Sequence, residues 1–331
     1  MAYTDIDDPS AYFQTALFTG NAGTNAITNT GNSDLQPDWV WFKCRSATEH
    51  HGLFDSVRGV TKGVYPNLAN AEDNLSDTVA SFNSDGFTMG ADTGSGGAFN
   101  GNTKTMVAWQ WKETATAGFD IVSYSGNNST NRQISHSLSA KPDMMLVKCR
   151  QAGLWKIYHS SLGATKYLVL SDTAGVVDNN STWNDTEPTS SNFTLGDDGN
   201  VNETGETYIN YLFAEKQGYS KFGSYVGNGN ADGTFVYTGF KPSFVMVKST
   251  GGESNWQMSD NKRNTFNEVN KHLRANSSGA EFTNYPIDFL SNGFKLRATD
   301  TDTNGSGTTY IFMCFASNPF QTSTGVPTTA R

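Results

Sequence analysis

The sequence is poor in most of the residues that carry chemistry. Its 331 residues include three cysteines and five histidines. Cys44, Cys149 and Cys314 lie in apolar strand-like segments with neither disulfide-framework nor CxxC spacing, so they read as buried free thiols. His50, His51, His136, His159 and His272 fall in no Gly-x-Ser-x-Gly elbow and no His-Glu-x-x-His helix. Positive charge is scarce as well: 23 Lys and Arg against 32 Asp and Glu give a net charge of −9. Such a surface repels phosphate, which argues against nucleic acid as a partner. No apolar run is long enough to span a bilayer, and Met1 to Pro9 has neither a basic nor an apolar leader region. The expectation is a soluble chain made in a cytoplasm, without membrane insertion.

Aromatics, by contrast, reach 12%, with 33 glycines and many Asn, Ser and Thr. Scattered aromatic and β-branched positions between turn residues favour short strands over helices. One stretch occurs three times: Gln36-Pro37-Asp38 leading to Lys43-Cys44-Arg45, Lys141-Pro142-Asp143 leading to Lys148-Cys149-Arg150, and Lys241-Pro242-Ser243 leading to Lys248-Ser249-Thr250. Each is an apolar strand opened by Pro, whose missing N–H costs no ladder bond there, and closed by Lys. The intervals of 105 and 100 residues between the prolines indicate tandem domains. A second signature, aromatic-x-Gly-Asn, precedes each at Phe18 to Asn21, Tyr124 to Asn127 and Tyr225 to Asn228.

The remaining strands follow the same order. His51 to Arg58, Leu154 to His159 and Trp256 to Asp260 come after the Pro strand, with helical or turn potential around Pro66 to Ala71 and Asn264 to Leu273. Asp85-Gly86 and Asn292-Gly293 mark hairpins, and Ser191 to Leu195 lacks the glycine. Long strands at 105–112, 207–214 and 309–316 close each repeat, with aromatics on both faces. The predicted architecture is all-β: three tandem antiparallel, jelly-roll-like β-sandwich domains of about 100 residues in a rigid row. They occupy 12–116, 117–218 and 219–318, between an N-terminal arm (1–11) and a C-terminal tail (319–331).

Candidate sites are few. The acidic loops with Asp197, Asp198, Glu203, Glu206, Asp300 and Asp302 match no EF-hand, and sequence cannot pair their carboxylates as a glycosidase requires. Trp39, Trp41, Trp109 and Trp111 alternate on two strands, which reads as sandwich core or interdomain packing, and Trp155 and Trp256 hold comparable places. Trp183, in the polar loop 179–185, and the polar pair His50-His51 are the candidates for surface or receptor contact. No catalytic group, cofactor or metal is assigned.

Taken together, aromatic-x-Gly-Asn, the Pro-Asp strand ending in Lys-Cys-Arg, the run Leu53 to Gly59 and the segment Ser81 to Phe87 resemble a repeat domain of virion proteins of tailed phages, especially marine phages of cyanobacteria. The resemblance is strongest in the first repeat. It implies a virion structural protein, a tail-fibre or tail-associated surface protein active in host attachment and not an enzyme. It also implies self-association with other virion proteins, as a trimer, and contact with a host surface glycan or protein. The alternatives are a capsid decoration or head-fibre protein, and a carbohydrate-binding array or glycan depolymerase.

Overall fold

A computed structural model describes residues 2–328. The fold is all-β, with antiparallel sheets throughout and three one-turn helical segments, at Pro9–Ala11, Asn180–Trp183 and Gly199–Asn202. No helix among the described residues is long and apolar enough to cross a membrane.

Each repeat has an inner sheet in the order opening strand, closing strand, Pro strand, next strand. In the first repeat these are Phe13–Thr19, Thr105–Trp111, Trp39–Cys44 and Gly52–Asp55. The second uses Phe119–Ser125, Thr207–Phe213, Met144–Cys149 and Lys156–His159. The third uses Ser220–Val226, Thr309–Pro319, Phe240–Ser249 and Gln257–Asp260. The registers match across repeats: Trp39 faces Trp111, Met144 faces Phe213 and Phe244 faces Phe315. A second layer of shorter strands covers one face of each inner sheet. In the third repeat it continues the same sheet through Val269–Arg274, Phe282–Leu290, Gly293–Leu296 and Phe235–Tyr237. The segment with helical or turn potential near residue 270 is therefore strand, because Leu273 is drawn into a ladder with Met258.

The row of domains is corrected by the other face of the inner sheets. Each repeat has its own outer core, but Trp39, Trp41, Trp109, Trp111, Phe119, Tyr211, Phe213, Phe244 and Phe315, from all three repeats, pack in one central core. Trp39 stacks on Tyr211 at 4.5 Å between centroids, and Phe13 on Phe315 at 5.1 Å, so the first repeat touches both others. The sheets thus close around a shared core. This accounts for aromatics on both parities of the closing strands: one parity fills the outer core, the other the centre.

The termini join the body. Ile6 of the arm enters the central core, and Thr4 Oγ1 donates to the Gln217 carbonyl at 2.7 Å. In the tail, Ser323 donates from its backbone N–H and its hydroxyl to the Asp7 carboxylate, each at 2.6 Å.

Candidate functional site

Chemistry that recurs in all three repeats serves closure. His51, Trp155 and Trp256 are equivalent, each lying two residues before the residue that pairs with Val64, Leu168 or Leu273. Each points its ring nitrogen at the same carbonyl of a neighbouring repeat. Trp155 Nε1 donates to Tyr65 at 2.8 Å, Trp256 Nε1 to Val169 at 3.0 Å, and His51 Nε2 lies 2.9 Å from Arg274 O. The bonds run from second repeat to first, third to second and first to third, a closed ring. Trp41 Nε1 donates to His51 Nδ1 at 2.8 Å, so the His51 proton sits on Nε2. Burial, reinforced by the Lys43 charge, holds the His51 pKa well below its ordinary value, keeping the ring neutral.

Two of the three seams are ionic. Between the first and second repeats, Arg150 grips Glu72 with two bonds at 2.8 and 3.0 Å, and Arg58 bridges Glu72 and Asp55. Between the third and first, Arg45 grips Glu281 at 2.8 and 2.9 Å, and Arg263 bonds Asp260. At the remaining seam the equivalent residues are Thr250, Val176 and His159; Val176 N donates to Thr250 O at 3.0 Å, and His159 Nε2 lies 3.1 Å from Phe312 O. The missing Arg of the third Pro strand therefore faces a missing Glu in the second repeat.

Lys43, Lys148 and Lys248 close the Pro strands with their ammonium groups on backbone carbonyls, among them Ser278, Gln151 and Thr173. Burial pulls all three pKa values down to about 8. The glycine of the aromatic-x-Gly-Asn signature marks a close approach: a Cβ at Gly126 would stand 1.9 Å from Glu203 O. The buried amides of Asn100, Asn202 and Asn304 lock that loop in every repeat, accepting from Asn21, Asn127 and Asn228 N–H. This trio was legible as a fixed spacing but carries no motif.

The sequence candidates scatter. Trp183 is 1% exposed, against the expectation of a contact residue: the turn Asn180–Trp183, capped by Asn179, swings the indole inward to donate to Lys166 O at 3.1 Å. His51 is fully buried, also a correction, because it serves the seam. His50 is exposed and accepts from Asn67 Nδ2 at 2.7 Å. The acidic loops hold structure: Asp198 caps Gly199–Asn202, Asp300 accepts from Thr303, and Asp302 from Asn255 and Gln257. Among the described residues no group of three or more His, Cys, Asp or Glu is placed to hold a metal ion.

The third repeat differs from its equivalents on its outside. A cleft of about 620 Å³ opens between Lys241 at the start of the Pro strand, the loop Asn261 to Asn267 and the hairpin tip Leu290 to Asn292. Asn264 and Asn267 brace the loop by bonding Lys271 N–H and Phe289 N–H. Phe266 stands 84% exposed at the rim. Lys241 and Lys262 line the cleft, no carboxylate does, and among the described residues neither lysine is in an ion pair. The equivalent Lys141 of the second repeat is paired with Glu187 at 2.6 Å. A smaller groove, shared at Asn261 and Lys262, continues toward Gln14 and Thr30 of the first repeat. Beside the hairpin tip, the edge strand Phe235–Tyr237 turns Phe235 and Tyr237 outward, where the first two repeats carry Ala26 and Thr28, and Gln133 and Ser135.

No curated protein and no solved structure matches the chain. One family does match, over residues 8–319, and that span takes in all three repeats and the end of the arm, in keeping with a core none of the repeats completes alone. The chain belongs to this family, described as Domain of unknown function (DUF7483).

Proposed function

We propose that the chain is a structural protein of a bacteriophage virion, a tail-fibre or tail-associated surface protein that takes part in host attachment and catalyses no reaction. The observation that carries this reading is the division between repeated and unrepeated chemistry. Ring N–H groups at equivalent positions, and the charges of two seams, are consumed in closure, while the third repeat presents at its cleft an exposed Phe and lysines that are unpaired among the described residues. A body of three sheets locked around one core resists deformation, which suits an appendage that transmits force. A surface that differs from its two equivalents without any demand from the fold suits recognition.

Within this reading a tail location is favoured over capsid decoration. The arm that would lie along a lattice is committed to the body, through Ile6 in the core and Tyr3 Oη bonding Gly239 O at 2.6 Å. The carbohydrate-array alternative loses its loop-borne Trp183, which is buried. Cryo-EM of intact particles, with mass spectrometry of their proteins, tests the proposal. Density for the three-sheet body on the tail is expected, and absence of the chain from particles overturns the virion reading. Density over the capsid faces would transfer the proposal to decoration.

A further inference from the structure

We infer that the third-repeat cleft is a binding site for an acidic polysaccharide, taking a carboxylate-bearing sugar unit between Lys241 and Lys262 and stacking a ring on Phe266. The inference rests on the attachment reading only for where such a polymer would be met; the binding itself is argued from the cleft. Three observations converge there. First, in a chain of net charge −9 this cleft presents two cations and no carboxylate, so its local sign is opposite to that of the molecule. Among the described residues Lys241 is without a carboxylate partner, whereas Lys141 at the equivalent position is already held by Glu187, and Lys262 makes one long bond, to Thr30 Oγ1 at 3.4 Å, which leaves it donors for a ligand. Secondly, Asn261, Ser291 and Asn292 bring amide and hydroxyl groups to the lining, which match the alternating donors and acceptors of sugar hydroxyls.

Thirdly, Phe266 is 84% exposed on a loop braced by Asn264 and Asn267, so the ring is carried outward by a fixed backbone. Its open face suits the apolar face of a pyranose. The neighbouring groove shared at Asn261 and Lys262 is lined by the Asp8 carboxylate, so the acidic unit is placed in the cleft itself. Single-stranded nucleic acid would also use aromatics and cations, but it needs a continuous basic track along the backbone. Two lysines on an acidic body do not supply one.

The test is affinity measurement on the purified full chain with polygalacturonate, its fully methyl-esterified neutral counterpart, inorganic polyphosphate and single-stranded DNA. The expected result is binding of polygalacturonate, weakened about tenfold or more by esterification and by the double variant Lys241→Gln/Lys262→Gln, as loss of charge-assisted bonds implies. Phe266→Ala is expected to weaken it about tenfold as well, with the Lys pair intact. These side chains lie at the surface, and an unchanged unfolding temperature establishes that each variant is folded. Equal binding of the esterified polymer, equal or tighter binding of polyphosphate or DNA, or no binding of polygalacturonate overturns the inference. None of these outcomes bears on where the chain sits in a particle, which imaging reads separately.

Discussion

A chain cut after residue 218 distinguishes a closed body from a row. In a row, the first two repeats would keep their cores. In the closed body they lose a wall. Phe13, Trp109, Trp111 and Phe213 each lie against Phe244 or Phe315, at centroid distances of 5.1 to 5.9 Å. If each ring gains about 100 Å² of exposure, roughly half of an aromatic side chain's burial, the four expose about 400 Å². At about 25 cal/mol per Å² that amounts to about 10 kcal/mol. The whole stability of an ordinary domain is of the same size, about 5–15 kcal/mol. Polar groups are stripped as well: Trp109 Nε1 loses Asp260 at 3.1 Å, His51 loses Arg274 O at 2.9 Å and Arg45 loses Glu281. The full chain is therefore expected to melt in one cooperative transition followed by near-UV circular dichroism. The 1–218 fragment is expected to lack that signal and to bind a hydrophobic dye, and co-expression with 219–331 is expected to restore it. A soluble monomeric 1–218 fragment with a cooperative melt and native-like near-UV spectrum would refute the shared core.

Three further outcomes probe the seams. Trp155→Phe keeps the ring but leaves the Tyr65 carbonyl without its donor, a cost of about 1–3 kcal/mol. For a chain of this length that lowers the melting temperature by about 2–4 °C in calorimetry, and no shift would sink the stabilising role of the Trp155 bond across the seam. Burial raises the Glu72 pKa, but the bonds from Arg150 and Arg58 outweigh it and hold the carboxyl below its ordinary 4.5. The stabilisation is thus complete above pH 4.5 and fades as pH falls through the lower folded value. Glu72→Gln is expected to cost about 2–3 kcal/mol at pH 7 and to flatten the acid limb of denaturant melts; an unchanged limb would contradict the pairing. Glu113 shows the opposite sign: burial and then its bond to Asp120 raise its pKa to about 7, so its fold favours the protonated form and loses stability as pH rises from about 4.5 to 7. Lys221 holds the equivalent of Asp120 and pairs with Glu215 at 2.6 Å, so Asp120→Lys should remove that loss; a pH profile identical to the parent's would exclude the Asp120 contact as a cause of it.

The strand pattern was open to sequence reading because it is local. Pro37, Pro142 and Pro242, the Asp85-Gly86 and Asn292-Gly293 hairpins and the aromatic-x-Gly-Asn glycine each act on their own backbone within a few residues. The buried free thiols Cys44, Cys149 and Cys314 follow from the same apolar strands. The Trp pairs were assignable to one strand face, and interdomain packing was one of two readings for them. The cleft was out of reach: Phe266 sits in a polar stretch, and nothing near Lys241 in sequence tells that its partner carboxylate is missing.

The amino-acid sequence by itself determined the all-β class, the three repeats and the strand order within each, since alternation, turns and proline placement act over a few residues. Only the tertiary structure decided that the repeats close on one another. Closure depends on contacts such as Trp155 to Tyr65 and His51 to Arg274, 90 and 223 residues apart, between groups that no local propensity links. The same long-range packing drew Trp183 and His51 inward, set Arg150 against Glu72 and Thr250 against Val176, and left the third repeat with an open, positively lined cleft.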